Sequence, residues 1–396
     1  MPIVDLFCGC GGLSKGFALA GFEIAAAYDG WQSAVTCYNA NFNDHEAHLL
    51  DLSDVDAAVA AIREHHPTMI IGGPPCQEFS NAGKREEGER ADLTYKYAQI
   101  ITQIQPEYFV MENVPRVRSS KAYQKARALY VEHGYGLTEL VLDASRCGAP
   151  QNRSRFICIG SRNEPDNFML DELFRDYIGK PITVADYFEQ KNIPLEINAY
   201  YRHPTTYTRR GIFSVNEVAP TIRGVNRPRP AQYNRNPNDA VPEEEVENTN
   251  RLTLQQRAII QTFPQDYQFE NLGITRGDLE QMVGNAVPVA LAQFVAGHLY
   301  QHIANRQERD GDMETRNSFA DWLRNEKHYT DRSISDVCSR LHRAERFLPD
   351  RPMDKYFMTD LEEVAAYKAL KSDIKSQIKK AVNLKIAFDA QLNTNE

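Results

Sequence analysis

The run Gly72-Gly73-Pro74-Pro75-Cys76-Gln77-Glu78-Phe79-Ser80 sets a thiol at a sharp corner. It follows the apolar run Met69-Ile70-Ile71, which reads as a buried strand. Gly-Gly-Pro-Pro cannot continue a ladder, so the chain must turn and present Cys76 at the strand's C-terminal end. Open α/β sheets carry their chemistry at that edge. A lone cysteine is more often a buried structural residue, but this corner favours a nucleophile. Glu112 has a comparable setting. Tyr108-Phe109-Val110-Met111 ends in Glu112-Asn113-Val114-Pro115, placing a carboxylate at the same edge, where a general acid is expected rather than a strand cap. Gln151-Asn152-Arg153-Ser154-Arg155 precedes the strand Phe156-Ile157-Cys158-Ile159. The spacing of Arg153 and Arg155 puts both guanidiniums on one face of an extended segment.

Strands and helices alternate through the first half to position these groups. Asp5-Leu6-Phe7-Cys8-Gly9-Cys10-Gly11-Gly12-Leu13 is a strand end, a glycine-rich turn and the start of a helix over 14–20. Its glycines permit positive φ and close approach of a ligand to the backbone. The spacing is not GxGxxG, so a pyrophosphate is not the natural ligand. The strand over 22–28 ends in Asp29, the usual place for a ribose-binding acid, and Asp51 closes His48-Leu49-Leu50. Each acid alone reads as a strand-end cap; in series with the glycine turn they predict an adenosine-type pocket. Helices are expected over 55–65, 93–103 and 121–133, with a further strand over 137–142. The polar loop 78–92, with Gly83, Gly88 and seven charged residues, reads as a lid over the substrate.

The chain has 396 residues, 42% hydrophobic, enough for two or three domains. No apolar run approaches the roughly 18–20 residues needed to cross a bilayer. The N-terminus enters directly into a strand, without a signal-peptide pattern, so no membrane partner is expected. Seven cysteines at 8, 10, 37, 76, 147, 158 and 338 form no paired framework, which suits a reducing cytosol. Cys8-x-Cys10 lacks a second ligand pair, so no metal site is expected. The net charge of −9 argues against indiscriminate adhesion to polyanions and leaves room for a local basic patch.

With these residues in view, the chain resembles the bacterial DNA (cytosine-5)-methyltransferases of restriction-modification systems. The resemblance covers about residues 3–302. It rests on five motifs in order: the Asp-Leu-Phe-x-Gly-x-Gly-Gly turn, Pro-Pro-Cys-Gln, Glu-Asn-Val, Gln-x-Arg-x-Arg and Gly284-Asn285-Ala286-Val287-Pro288. It implies an α/β, Rossmann-like mixed sheet of the S-adenosylmethionine-dependent methyltransferases, with a small target-recognition domain and a C-terminal helical extension. It implies S-adenosylmethionine as methyl donor and a flipped cytosine as substrate, with the 78–92 lid closing behind the base. Cys76 would add to carbon 6, Glu112 would hold ring nitrogen 3 and the exocyclic amine, and Arg155 the carbonyl, with Arg153 in support. The donor pocket would use Phe7, Gly9, Gly11, Gly12 and Leu13, then Asp29 at the ribose and Asp51 with Leu52 at the adenine. Pro75, Leu93, Asn285 and Val287 complete it. The family often has an aromatic directly after the ribose acid; here that position is Gly30 and the aromatic is Trp31, so both are carried as candidates.

Residues 161–250 lose the βα rhythm. Seven arginines (202, 209, 210, 223, 227, 229, 235) face one acid, Glu217, between 200 and 235, interleaved with Tyr200, Tyr201, Tyr207 and Tyr233. Arginine suits phosphate and guanine, and the family keeps its target-recognition region here, with Thr221-Ile222 similar to its Thr-Leu pair. Candidate contacts to double-stranded DNA are Gln77, Ser80, Arg209, Arg210, Thr221, Arg223, Arg227 and Arg229. The acidic stretch from Asp239 to Glu247 reads as a linker. Expected domains are 1–160 plus 251–305 (catalytic and cofactor), 161–250 (target recognition) and 306–396 (helical extension). Helices are expected over 254–263 and 289–303, then around Phe319 to Leu323, from a Ser333 cap, and from 359 to about 392. The tail's lysines and arginines fit either a DNA-backbone contact or a packing appendage. A monomer in the bacterial cytoplasm, at the nucleoid, is expected, with a cognate restriction endonuclease sharing the site. The alternatives are a tRNA cytosine-5 methyltransferase and a catalytically inactive DNA-binding homologue. The arginine-tyrosine segment favours duplex DNA over the first; intact Cys76, Glu112 and glycine turn argue against the second.

Overall fold

In the computed structural model of the chain, which describes residues 1–75, 92–177, 179–206, 208–349 and 351–392, one mixed sheet organises the first 160 residues. Its strands are β1 (Pro2–Leu6), β2 (Glu23–Asp29), β3 (Ala47–Leu49), β4 (Met69–Gly72), β5 (Tyr108–Asn113), β6 (Tyr135–Asp143) and, after the two-residue β7 (Gln151–Asn152), β8 (Ser154–Arg162). The spatial order is β3-β2-β1-β4-β5-β8-β6. Neighbours from β3 through β5 pair in parallel; β8 runs antiparallel to both β5 and β6. Every residue of β4 and β5 is buried, as expected of parallel strands covered on both faces. The mixed Rossmann-like sheet expected from the motifs is present, and the C-terminal ends of β1, β2, β4 and β5 share one edge.

Helices α1 (Gly12–Leu19), α2 (Gln32–Asn39), α3 (Val55–Arg63), α4 (Asp92–Ile104) and α5 (Lys121–Glu132) follow in alternation. Side chains of α3–α5, among them Val59, Ile62, Ile101, Ala126 and Tyr130, pack with Val4, Leu6, Ile70, Phe109 and Phe156 on one face of the sheet. Asp54 and Ser120 cap α3 and α5 by accepting from Ala57 N and Tyr123 N, both at 3.1 Å. The chain continues through α6 (Leu170–Asp176), α7 (Val184–Gln190), the hairpin β9 (Ala199–Tyr201) and β10 (Ile212–Ser214), and β11 (Ala219–Pro220), which pairs in parallel with β7. Then come α8 (Leu254–Ile260), α9 (Arg276–Asn285) and α10 (Val289–Asn325). Phe188, Ile259 and Met282 from α7–α9 join Val35 and Tyr38 of α2 in the second core.

Asp239 departs from its expected place in a linker. It is buried, accepting from Gly211 N and Ile212 N at 2.9 Å and from Tyr233 Oη and Asn236 N at 2.8 Å. A carboxylate with four donors organises a loop from within.

The chain divides into two compact units, Met1–His302 and Ile303–Glu396. In the second, α11 (Asp331–Glu345), α12 (Phe357–Glu363), α13 (Ala365–Lys368) and α14 (Ser372–Leu392) surround Trp322, Leu323, Val337, Leu341, Leu361, Val382 and Phe388. Three local expectations fail here. The segments expected over 289–303 and near 319 lie on one helix, α10. Thr330, not Ser333, caps α11, and Ser333 supplies the backbone donor. The helix expected from 359 to 392 is broken into three, with Val364 extended (φ −70°, ψ 120°), because Leu361 and Tyr367 must share one core with Val382 and Phe388; packing overrides local propensity. The stretch Arg276–Gln307 is long and apolar enough to cross a membrane, yet 61% of its apolar window is buried within the protein, as for a core helix.

Candidate active site

The β4 corner is built by close backbone approach. A Cβ on Gly72 would lie 2.6 Å from Leu6 O and 2.8 Å from the Tyr97 ring, so only glycine fits there. Gly73 N donates to Leu6 O (3.3 Å), and Asn113 Nδ2 at the end of β5 donates to Pro74 O (2.9 Å). The corner is thereby tied to both neighbouring strands. Cys76, Gln77 and Ser80, and the 78–92 lid up to residue 91, lie outside the described residues. Glu112 faces the corner: a Cβ on Gly73 would sit 3.1 Å from Glu112 Oε2.

Arg155 meets Glu112 through the antiparallel register. Glu112 pairs opposite Ile157, and Arg155, two residues away, emerges on the same face. Its Nε lies 2.7 Å from Glu112 Oε1, with both side chains nearly buried. Burial pushes the Glu112 carboxyl above its ordinary range, and Arg155 and Arg153 pull against that rise. The result is a carboxyl held beside a cation yet more willing to keep a proton than a surface glutamate. Arg153 makes different bonds. It is 1% exposed, and its guanidinium donates to Ile222 O (2.8 Å), Gly284 O (2.9 Å), Ala286 O (3.0 Å) and Asn285 O (3.3 Å). Gln151 of the same motif accepts from Ile222 N and donates to Gln261 Oε1, both at 2.7 Å.

The glycine turn divides its labour. Gly9 (φ 55°) has nothing within 4 Å of a built Cβ, whereas Gly11 would strike Phe42 at 2.5 Å and Gly12 would strike Val287 O at 2.4 Å. The space at Gly11 and Gly12 is thus taken by the protein, and only Gly9 opens outward. Gly9 N donates to Asp29 Oδ2 (2.8 Å), and Trp31 N to Asp29 Oδ1 (2.9 Å). Burial raises the Asp29 carboxyl, opposed by these backbone donors. Gly30 follows, and the Trp31 ring is half-buried against the second core. Phe7 (φ 59°) bends the chain into the turn. Leu13 and Leu52 are buried, and Asp51 is exposed, its Oδ1 accepting from Ser53 N at 2.9 Å. Pro75 and Leu93 are half-buried, Val287 is buried, and the exposed Asn285 accepts from Gln281 Nε2 at 3.0 Å.

Beneath the turn runs a network that periodicity does not signal. Ser14 Oγ donates to Asp5 Oδ2 (2.5 Å), Tyr38 Oη donates to Ser14 Oγ (2.8 Å) and lies 2.7 Å from His45 Nε2, and His45 Nδ1 lies 2.9 Å from Asp44 Oδ1. Asp5 is fully buried, and burial raises its carboxyl from 3.8 to about 7. An acid in the middle of an apolar strand was the available signal. Tyr267, also unflagged, donates to Cys10 O.

A model of the C-5 cytosine-specific DNA methylases matches residues 1–301. The chain belongs to this family. It is 50% identical over 304 residues to the Type II methyltransferase M.HgiDI of Herpetosiphon aurantiacus, covering 76% of this chain and 95% of that protein. It is 50% identical over 297 residues to the Type II methyltransferase M.HindV of Haemophilus influenzae, covering 75% and 95%. Among solved structures, the Schizosaccharomyces pombe (S. pombe) Dnmt2 methyltransferase superposes with a TM-score of 0.56 at 19% identity, over 76% of this chain and 98% of that one; this likeness concerns the fold.

In this methylase most of the arginines expected at DNA have partners in the protein. Arg210 pairs with Glu217 and lies 4.3 Å from the Phe213 ring centroid. Arg223 donates to His203 O, and Arg229 to Thr249 O (3.4 Å) and Glu247 O (3.3 Å). Thr221 donates its hydroxyl to Asn152 O (2.7 Å). Arg209 and Arg227 are exposed. Among the described residues, no group of three or more His, Cys, Asp or Glu side chains could hold a metal.

Proposed function

We propose that this DNA cytosine-5 methylase acts through a covalent adduct at Cys76, as the modifying half of a restriction-modification system. The observation that carries the reading is the Glu112–Arg155 pair at 2.7 Å against the β4 corner. Cytosine carbon 5 is a poor nucleophile. Addition of the Cys76 thiolate to carbon 6 places an electron pair at carbon 5. A protonated Glu112 donates to ring nitrogen 3 and accepts from the exocyclic amine, and its raised proton affinity suits that form. Arg155 holds the ring carbonyl. S-adenosylmethionine would supply an electrophilic methyl group. Carbon 5 takes that methyl group as the donor's sulfur–methyl bond would break, leaving the thioether. Water accepts the carbon-5 proton, the C–H pair re-forms the 5,6 double bond as the Cys76 thiolate leaves, and the proton shared with ring nitrogen 3 returns to Glu112.

The donor site fits S-adenosylmethionine on this chain's own geometry: an open backbone at Gly9, the Asp29 carboxylate beside it and the strand-end Asp51 beyond. Phe7, Leu13, Trp31, Leu52, Pro75, Leu93, Asn285 and Val287 are assigned to its walls, with Gly11, Gly12 and Gly30 shaping the turns. Arg153 is assigned a positioning role. Residues 1–160 with 251–305 are read as the catalytic domain, 161–250 as target recognition on double-stranded DNA, and 306–396 as a helical extension. A monomer at the nucleoid, beside an endonuclease of the same specificity, completes the assignment; the Type II names of the relatives bear on the endonuclease alone.

The test is bisulfite sequencing of unmethylated plasmid treated with the protein and S-adenosylmethionine. Protected cytosines in one short repeated context support the reading. Absence of protection on DNA, with methylation of tRNA, would overturn it.

A further inference from the structure

Between residues 200 and 235 the methylase carries seven arginines and one acid, and five of the seven are committed to the protein itself. Arg202 donates to Thr221 O (2.9 Å), Arg235 to Val241 O (2.8 Å), and Arg210, Arg223 and Arg229 are bonded as described. Arg202 and Arg223 hold carbonyls of the segment itself, Arg229 and Arg235 tie it to carbonyls of residues 241–249, and Arg210 is held by the Glu217 carboxylate. Arg209 and Arg227 differ. Both are exposed, and among the described residues neither guanidinium has a hydrogen-bond or ion-pair partner.

They belong to a cluster of like charge. Burial, with Arg223 and Arg209 nearby, brings the Arg202 guanidinium down to about 10. Burial, with Arg227 and Arg223 nearby, disfavours protonation of His203. Among the described residues no carboxylate acts on either group. Glu217, the one acid of the segment, is occupied by Arg210; Asp239 is taken by backbone donors and Tyr233 Oη; and Glu280, beside Asn226, is shared by Arg257 and Arg276. The buried Nε atoms of Arg202 and Arg223 have no acceptor. The cluster is held rigidly: Arg257 donates to Arg223 O, and a Cβ on Gly284 would strike Gly224 N at 2.1 Å, so the loop is pressed onto α9.

With the nearby carboxylates already paired, the remaining cations repel one another, and a full negative charge relieves that repulsion. A guanine edge offers a dipole; a phosphate offers the charge, and exposed arginines bind it bidentately. We propose that Arg209 and Arg227 grip backbone phosphates of the DNA, with Arg202, His203 and Arg223 as the rigid base that positions them. This rests on the reading of residues 161–250 as the DNA-facing region.

The test uses the full chain and two labelled duplexes, one containing the methylated sequence and one lacking it, with affinities measured by anisotropy between 50 and 200 mM salt. Arg209→Gln and Arg227→Gln are each expected to weaken both duplexes alike. Each should reduce the slope of log affinity against log salt by about 0.9, and the double variant by about twice that. Arg209→Lys and Arg227→Lys, which keep the charge, should retain the slope. An unchanged slope in both Gln variants overturns the assignment. So does a loss confined to the methylated duplex, which would mean base reading. Wild-type protein that methylates cytosine while the variants behave like it refutes these two residues alone; wild-type protein that binds neither duplex refutes the underlying reading.

Discussion

Replacing Arg153 by methionine removes a guanidinium that spans three parts of the methylase: the strand pair β7–β8, the Thr221-Ile222 segment and the C-terminal end of α9. Four carbonyls lose a donor, but not equally. Ala286 O keeps a bond from Gln261 Nε2 at 3.3 Å, and Asn285 is exposed, so water can replace its partner. Ile222 O and Gly284 O, at 2.8 and 2.9 Å from Arg153, are left unpaired. Each orphaned buried acceptor costs about 1–3 kcal/mol, and losing a cation from the helix C-terminus adds about 0.5 kcal/mol. Removing the guanidinium also relieves its own burial, which holds it well below the ordinary arginine range. We therefore expect a net destabilisation of about 2–4 kcal/mol. The assay is urea unfolding followed by tryptophan fluorescence in a Trp322→Phe background, so that Trp31 alone reports the first unit. Arg153→Lys should recover less than half of the loss, because one ammonium cannot span these carbonyls. A loss under 1 kcal/mol for Arg153→Met would refute the clamp.

Four further outcomes follow from the same geometry. Gly12→Ala, which would drive a methyl group to 2.4 Å from Val287 O, should destabilise the fold by more than 2 kcal/mol in urea titrations, as an overpacked site does; Gly9→Ala, facing open space at φ 55°, should cost about 1 kcal/mol and instead raise the KM for the methyl donor. Asp5 binds a proton more tightly folded than unfolded, so its contribution to stability is full below pH 3.8 and is lost as pH rises through about 7; the rise corresponds to about 4 kcal/mol, and Asp5→Asn should flatten the fall in urea midpoint between pH 5 and pH 8, whereas an unaltered fall would contradict it. Glu112→Gln should lower kcat by at least about 100-fold with DNA affinity within about threefold in anisotropy titrations; retained activity would remove Glu112 from the chemistry.

The sheet was legible because its parallel strands are continuous apolar runs ending in Gly, Pro or acid, as in Met69-Ile70-Ile71-Gly72 and Phe109-Val110-Met111-Glu112. The Glu112–Arg155 pair was legible only in part. Both residues stood out in the motifs, but their meeting depends on the antiparallel register of β5 and β8, which no local pattern encodes. Asp239 was misread because an acid near Glu243-Glu244-Glu245 looks solvated, while its four donors come from residues up to 28 positions away. The arginine-rich segment misleads in the opposite direction. Composition marks Arg209, Arg210, Arg223, Arg227 and Arg229 alike as DNA contacts, whereas Arg223 and Arg229 serve carbonyls of this irregular region and Arg210 its one acid, Glu217. In the second unit, tertiary packing broke a helix whose local propensity was unbroken.

The central claim is the covalent role of Cys76, and one trapping measurement addresses it. A duplex carrying 5-fluorocytosine at the position found by bisulfite sequencing is incubated with the methylase and S-adenosylmethionine, then digested for peptide mass spectrometry. Fluorine at carbon 5 cannot leave as a proton does, so the thiolate stays bound. The account predicts one adduct, on the peptide containing Cys76, and none with Cys76→Ala. An adduct on Cys8, Cys10, Cys37, Cys147, Cys158 or Cys338, or methylation undiminished in Cys76→Ala, would contradict it.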